Sequence, residues 1–204
     1  MEGLGLEERP RNLVFMGMGE PLANYENLIR AVQILTDEMG LNYSGRRITV
    51  STSGLAPEIL RLGQDLDVGL AISLHAPDDE IRQEIMPINR RYPIQALISA
   101  CKSYPIKPRR RITFEYLLLQ GINDRIEQAM GLARLLRGIP AKINLIPFNE
   151  SPGLPFKAPA EGDVLAFQKA LTGAGYTAII RKSRGQDIAA ACGQLNVKDM
   201  KDGC

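Results

Sequence analysis

Residues 12 to 21, Asn-Leu-Val-Phe-Met-Gly-Met-Gly-Glu-Pro, run an apolar strand into two glycines, a carboxylate and a proline. Gly17 and Gly19 remove the Cβ where a ligand could press against backbone, and Pro21 stiffens the exit. Glu20 is left at the strand's carboxyl end, where an acid suits a ligand ammonium; plain turn chemistry uses the same residues. His75, the only histidine, follows Ile72-Ser73-Leu74 and reads either as a structural hydrogen-bonder or as a proton-transfer group. Ser51 and Ser53 lie in Ile48-Thr49-Val50-Ser51-Thr52-Ser53-Gly54, where hydroxyls satisfy a turn or meet a ligand. With no second histidine and no acid close by in sequence, a serine-hydrolase triad is disfavoured. Asn149, after Ile146-Pro147-Phe148, starts a turn or reads a base or ribose edge. Cys192 stands among small residues with basic residues just upstream, a setting that lowers a thiol's pKa from about 8.5, although a buried, inert cysteine is the equal alternative.

These groups need elements to hold them. Short apolar or β-branched runs bounded by Gly, Pro or charge predict strands at about 12–16, 47–51, 67–74, 111–119, 141–147 and 176–181. Helical patterns fall between them, at about 25–39, 56–63, 78–85, 93–103, 125–137 and 161–174. Asn24 is the expected cap of the first, Gly40 its stop, and Asp78 starts the third with Asp79 and Glu80 in an acidic first turn. The order is β-α repeated. Val68 to Leu74 and Tyr116 to Leu119 are nearly continuously apolar, as expected of parallel strands covered on both faces. Gly19-Glu20, Ser51 to Ser53, Ser73 to His75 and Asn149 all fall at or just past strand ends, so one rim collects the polar groups. A barrel gathers its site at that rim from several strands, whereas an open sheet concentrates it at one switch point. The fold class expected is therefore α/β, a TIM-like barrel kept partial because eight units need about 250 residues.

Bulk properties bound the function classes. The chain has 204 residues, 45% of them hydrophobic, enough for a real core. With 25 Lys plus Arg against 23 Asp plus Glu the net charge is +2, so overall charge does not announce a nucleic-acid binder. Basic clusters at Arg46-Arg47, Arg90-Arg91, Lys107 to Arg111 and Arg181 to Arg184 read as solvated surface that permits RNA contact. No apolar run reaches the roughly 18 residues of a membrane span, and Met1 to Pro10 lacks a signal-like core. Three widely spaced cysteines fit a reducing compartment, so a cytoplasmic location and no membrane partner are expected.

Taken together, Gly17 to Pro21, Arg47 to Gly54, Ala71 to Pro77, Lys142 to Asn149 and Arg181 to Leu195 follow one another as in the radical S-adenosylmethionine (SAM) RNA methyltransferases. The chain resembles the RlmN/Cfr family, the adenine-C2 methyltransferases of 23S rRNA and tRNA with their adenine-C8 relatives. The resemblance covers residues 12 to 195 and implies a partial (βα)6 barrel of the radical SAM type over 1–195, with 196–204 as a disordered tail. It implies that Gly19 and Glu20 hold the methionine amino group of SAM. Ser51, Ser73, Leu74 and His75 would line the rest, with Asn149 near the nucleoside end and Cys192 as the methyl-accepting cysteine. The implied substrates are 23S rRNA and tRNA, and an external electron donor is needed.

One departure matters. The family holds a [4Fe-4S] cluster through a Cys-x3-Cys-x2-Cys loop, and Cys101, Cys192 and Cys204 do not form that pattern. The chain therefore reads as lacking the first strand, the cluster loop and the N-terminal RNA-binding domain of the family, truncated at its N-terminal side and inactive alone. Methylation at C2 and methylation at C8 use the same residues, and two rivals stand beside this reading: a non-catalytic SAM- or RNA-binding relic, and an ordinary barrel enzyme using Glu20 and His75 as acid and base.

Overall fold

The computed structural model describes residues 10–17, 19–150 and 154–181. Six parallel strands stand in chain order: β1 (Leu13–Phe15), β2 (Ile48–Thr52), β3 (Gly69–Ser73), β4 (Ile112–Leu118), β5 (Ala141–Pro147) and β6 (Thr177–Ile180). Parallel neighbours require a crossover, and helices supply it: α1 (Tyr25–Thr36), α2 (Ala56–Asp65), α5 (Ile126–Leu135) and α6 (Glu161–Gly173), with both α3 (Asp79–Ile85) and α4 (Ile94–Ser103) between β3 and β4. Every predicted strand and helix is present, with ends shifted by a few residues. The proposed tail at 196–204 lies outside the described residues.

Strands in a sheet lie about 4.8 Å apart, so a flat sheet would hold β1 and β6 roughly 24 Å from each other. Yet Met16, Gly17 and Glu20, just past β1, share one cavity of about 360 Å³ with Arg181, just past β6. The sheet is therefore curled into an open barrel whose two edges are β1 and β6.

Register decides what each face carries. Ser51 pairs with Ala71 and Ala71 with Thr113; Ser73 pairs with Glu115 and Glu115 with Asn144. These small or polar residues share the concave face. On the alternate positions Ile48, Val50, Leu70, Ile72, Phe114, Tyr116, Ile143 and Leu145 are buried in the core. Tyr116 packs its ring 5.1 Å from that of Phe167 on α6. Both faces of β3 and β4 are largely buried, as expected of 68–74 and 116–119, but the two faces are covered differently. One face carries the helices and the other lines a hollow, so the strands alternate in kind although most of their residues are apolar.

Two helix ends also differ from expectation. Asn24 makes no cap bond, because a 3-10 turn, Pro21–Asn24, precedes α1 and is capped instead by Glu20, whose Oε1 accepts the Leu22 N–H at 2.9 Å. Gly40 does not stop α1, which ends at Thr36 with Asp37 following. Asp78 does cap α3, its Oδ1 accepting the Ile81 N–H at 2.9 Å.

The two faces should respond differently to substitution. Ile72→Ala, on the helix-covered face at 0% exposure, is expected to cost about 2–5 kcal/mol in urea denaturation. Ile179→Thr, on the concave face at 48% exposure, should stay within about 0.5 kcal/mol of the parent.

Candidate functional site

The cavity sits at the carboxyl rim, where parallel α/β folds place their chemistry. Its polar wall comes from residues far apart in sequence: Glu20 after β1, Ser51 and Ser53 at the end of β2, Ser73 and His75 at the end of β3, Glu115 on β4 and Arg181 after β6. Leu117 and Ile146 add apolar wall. At about 360 Å³ it falls within the roughly 300–1,000 Å³ of small-molecule sites. A hollow of about 590 Å³ at the amino end of the sheet is lined by Arg46, Lys107, Arg109, Arg110, Arg111 and Lys142; Asp67, also there, is paired with Lys107 and Arg110.

Glu20 is held by three protein donors. Its Oε2 accepts both the Ser53 backbone N–H and the Ser53 hydroxyl at 2.7 Å, while Oε1 accepts Leu22 N–H. Both lone pairs of Oε2 are taken and Oε1 keeps one, so the group is fixed in place and still able to accept an ammonium from the cavity. Gly17 and Gly19 have φ of +143° and +94°, and a Cβ at either would meet nothing within 4 Å. What these positions require is the backbone conformation open to glycine, and the room beside them is open rather than tight.

His75 also lies at positive φ, +61°, an uncommon conformation for a residue with a Cβ. Three bonds hold it there. Its N–H donates to Glu115 O at 3.4 Å, its C=O accepts Asn123 Nδ2 at 2.8 Å, and its ring Nδ1 accepts the Leu117 N–H at 3.0 Å. A ring whose Nδ1 is an acceptor carries its proton on Nε2, so the neutral imidazole is a hydrogen-bond donor. Burial, then the nearby Arg82 guanidinium, push its pKa from 6.5 down to about 4, against a backbone hydrogen bond at Glu115 that raises it. This disfavours His75 as a proton acceptor near neutrality and favours a fixed donor.

Arg82 and Glu115 are the residues that sequence reasoning missed. Arg82 is wholly buried on α3. Its Nε donates to Leu74 O at 3.1 Å, its Nη2 to Ser53 O at 2.7 Å and Ser73 O at 3.3 Å, and its Nη1 to Asn89 Oδ1 at 2.8 Å. Asn89 in turn donates to Asp79 Oδ1 at 2.8 Å. Burial lowers the Arg82 pKa to about 10, opposed by Asp79 and then Cys101, so it stays cationic at neutral pH. Gly54, at φ +116°, admits this side chain: a Cβ there would stand 3.1 Å from Nη2. Nothing in Asp78-Asp79-Glu80-Ile81-Arg82 distinguishes Arg82 from a solvated helix cation, whereas Glu115 stands out as the one charged residue in Ile112–Leu118.

Of the residues named from sequence, Gly19, Glu20, Ser51, Ser73 and His75 are brought together around the cavity. Leu74 is not: its side chain is fully buried in the core, its N–H donates to Glu115 O and its C=O accepts from Arg82. Asn149 follows the end of β5 and is absent from the cavity wall, to which that strand contributes Ile146. Cys192 lies outside the described residues. Among the described residues no group of His, Cys, Asp and Glu is arranged to hold a metal ion, and no helix is long and apolar enough to cross a membrane.

The His75 environment sets a pH dependence. A histidine whose folded pKa lies below its unfolded value contributes its full stability above about pH 6.5, and loses it as pH falls toward about 4. Relative to His75→Asn, which tolerates positive φ, the parent should lose up to about 3 kcal/mol of unfolding free energy across that window. Parallel curves for the two proteins in urea titrations at stepped pH would contradict it.

Comparison with known proteins now gives these residues a context. The Radical SAM superfamily model matches residues 2–133. The dual-specificity RNA methyltransferase RlmN of Syntrophobacter fumaroxidans is 55% identical over 192 residues, 94% of this chain and 56% of that protein. The protein of the same name from Anaeromyxobacter dehalogenans is 60% identical over 195 residues, 94% of this chain and 52% of that protein. The crystal structure of a radical SAM methyltransferase from Sphaerobacter thermophilus superposes with a TM-score of 0.89 at 50% identity, over 94% of this chain and 56% of that one. The chain spans about half the length of the curated relatives it matches. A curled parallel sheet with its polar rim gathered at one cavity, and a family model matched over most of the chain, lead to one conclusion: the chain belongs to the radical SAM superfamily.

Proposed function

We propose that this chain is the SAM-binding core of an RNA methyltransferase that acts on C2 of adenine in 23S rRNA and tRNA. The observation that carries the reading is the convergence of Gly19, Glu20, Ser51, Ser73 and His75, drawn from three βα units, on one cavity. The names of its relatives supply the reaction class and the RNA substrate. In this reading Glu20 accepts the ammonium of SAM, Ser51 and Ser73 offer hydroxyls, and neutral His75 donates from Nε2. Asn149 acts near the nucleoside. Cys192 takes the methyl group: its thiolate attacks the methyl carbon, a thioether forms, the carbon–sulfonium bond breaks and S-adenosylhomocysteine leaves. The setting is cytoplasmic, and electrons come from an external donor.

The iron–sulfur cluster of the superfamily does not fit the described residues. Cys101 is buried in the core on α4, and burial pushes its thiol up to about 12, opposite to what a thiolate ligand needs.

Isothermal titration of the chain with SAM and with 5′-methylthioadenosine, which lacks the amino-acid part, tests the reading. Glu20→Gln is expected to weaken SAM by about 10- to 100-fold, a charge-assisted hydrogen bond's worth, and to leave methylthioadenosine within about threefold. Failure of the parent to bind SAM, or equal weakening of both ligands, would overturn it.

A further inference from the structure

Glu115 is 4% exposed, points to the concave face of β4 and lines the cavity, yet its two oxygens are unequally served. Oε1 accepts Asn144 Nδ2 at 2.9 Å. Oε2 has no hydrogen-bond donor among the described residues, and Arg181 Nη1 stands 3.8 Å from it, beyond hydrogen-bonding reach. Closer ion pairs occur among the described residues: Lys107 and Arg110 each approach Asp67 at 2.7 Å. A buried carboxylate oxygen left without a donor is costly unless something else supplies one. Arg181, half-exposed, likewise keeps guanidinium donors to offer on the same wall.

The pair therefore sets an acceptor beside a donor, with a gap between them, on the wall of a cavity of small-molecule size. Adenine carries the inverse arrangement, an amino group that donates next to a ring nitrogen that accepts. Guanine and hypoxanthine carry a carbonyl at the same ring position, which would set one acceptor against another at Oε2. Cytosine also offers a donor beside an acceptor, but a purine's larger ring reaches farther from its sugar toward a wall residue set below the rim, at the register of Ser73.

We propose that Glu115 and Arg181 form an adenine-reading pair, Oε2 accepting from the amino group and the guanidinium donating to the neighbouring ring nitrogen. The inference rests on the methyltransferase reading, which brings two adenines to this cavity, one in SAM and one in the RNA. Asn144, one strand over, positions Glu115 by holding its other oxygen.

The test is a set of calorimetric titrations of the chain. Adenosine is expected to bind about tenfold more tightly than inosine, which differs at the amino group, and Glu115→Gln should bring the ratio within about threefold. S-adenosylhomocysteine against S-inosylhomocysteine asks the same of the donor's base, and adenosine against inosine added to SAM-saturated protein asks it of a second base. A preference in the first comparison assigns the pair to SAM and in the second to the RNA adenine, and either supports it. Equal binding of amino and oxo partners by the parent in every comparison overturns it, with no reliance on a variant that folds poorly. Failure of the two readings is separable: SAM binding with no adenine preference removes only the pair, and an adenine preference that persists without SAM binding removes only the methyl-donor reading. Absence of binding by every nucleoside at millimolar concentration removes both.

Discussion

The buried Arg82 guanidinium is the interaction on which the site depends. Parallel strands end with carbonyls facing the rim, and at the exits of β2 and β3 those of Ser53, Ser73 and Leu74 turn inward, away from water. Arg82 satisfies all three from beneath and gives one further hydrogen bond to Asn89. It makes no direct ion pair with a carboxylate among the described residues, so its charge rests on carbonyl dipoles and one amide. That arrangement suits the planar fork of arginine, which reaches several acceptors at once. From Ser53 the order passes to Glu20 through two hydrogen bonds, and from Leu74 to His75 and β4 through Glu115 O. Glu20, Ser53, Ser73 and His75 are thus hung on one cation that is no part of the cavity wall.

The wall so built is chemically uneven. On the β1 side a carboxylate is already gripped by three donors and keeps one lone pair free. In the middle a neutral imidazole donates from one nitrogen because its other nitrogen is occupied. On the far side a carboxylate and a guanidinium stand apart. A ligand with a cationic end, a donor-and-acceptor middle and a base would meet a partner at each place, and SAM has that sequence of groups.

How much of this was legible in the sequence varies with the physics. The βα order was, because short apolar runs punctuated by Gly, Pro and acids report strand and helix length directly. So was the rim, because Glu20, Ser51, Ser73 and His75 each follow an apolar run. The two faces of the strands were not separated: Ala71, Leu117 and Ile146 on the concave side are as apolar as their neighbours, so the alternation is hidden in residue size and in Ser51, Thr113 and Glu115. Leu74 was drawn into the site by its neighbours, although a leucine between Ser73 and His75 points to the other face by strand alternation. Arg82 was illegible because its burial comes from Gly54 and two strand ends distant in sequence, while its own neighbours are mostly acidic and polar. Asn24 lost its capping role to Glu20, which serves the turn and the cavity at once.

The most direct measurement of this account is SAM affinity in Arg82→Lys, which keeps the charge but replaces a fork with a single point, read beside far-UV circular dichroism. The expected result is a folded protein whose SAM binding falls by about tenfold or more, as the Ser53 and Leu74 carbonyls lose their common partner and Glu20 and His75 lose their settings. A folded Arg82→Lys protein that binds SAM as tightly as the parent would contradict it.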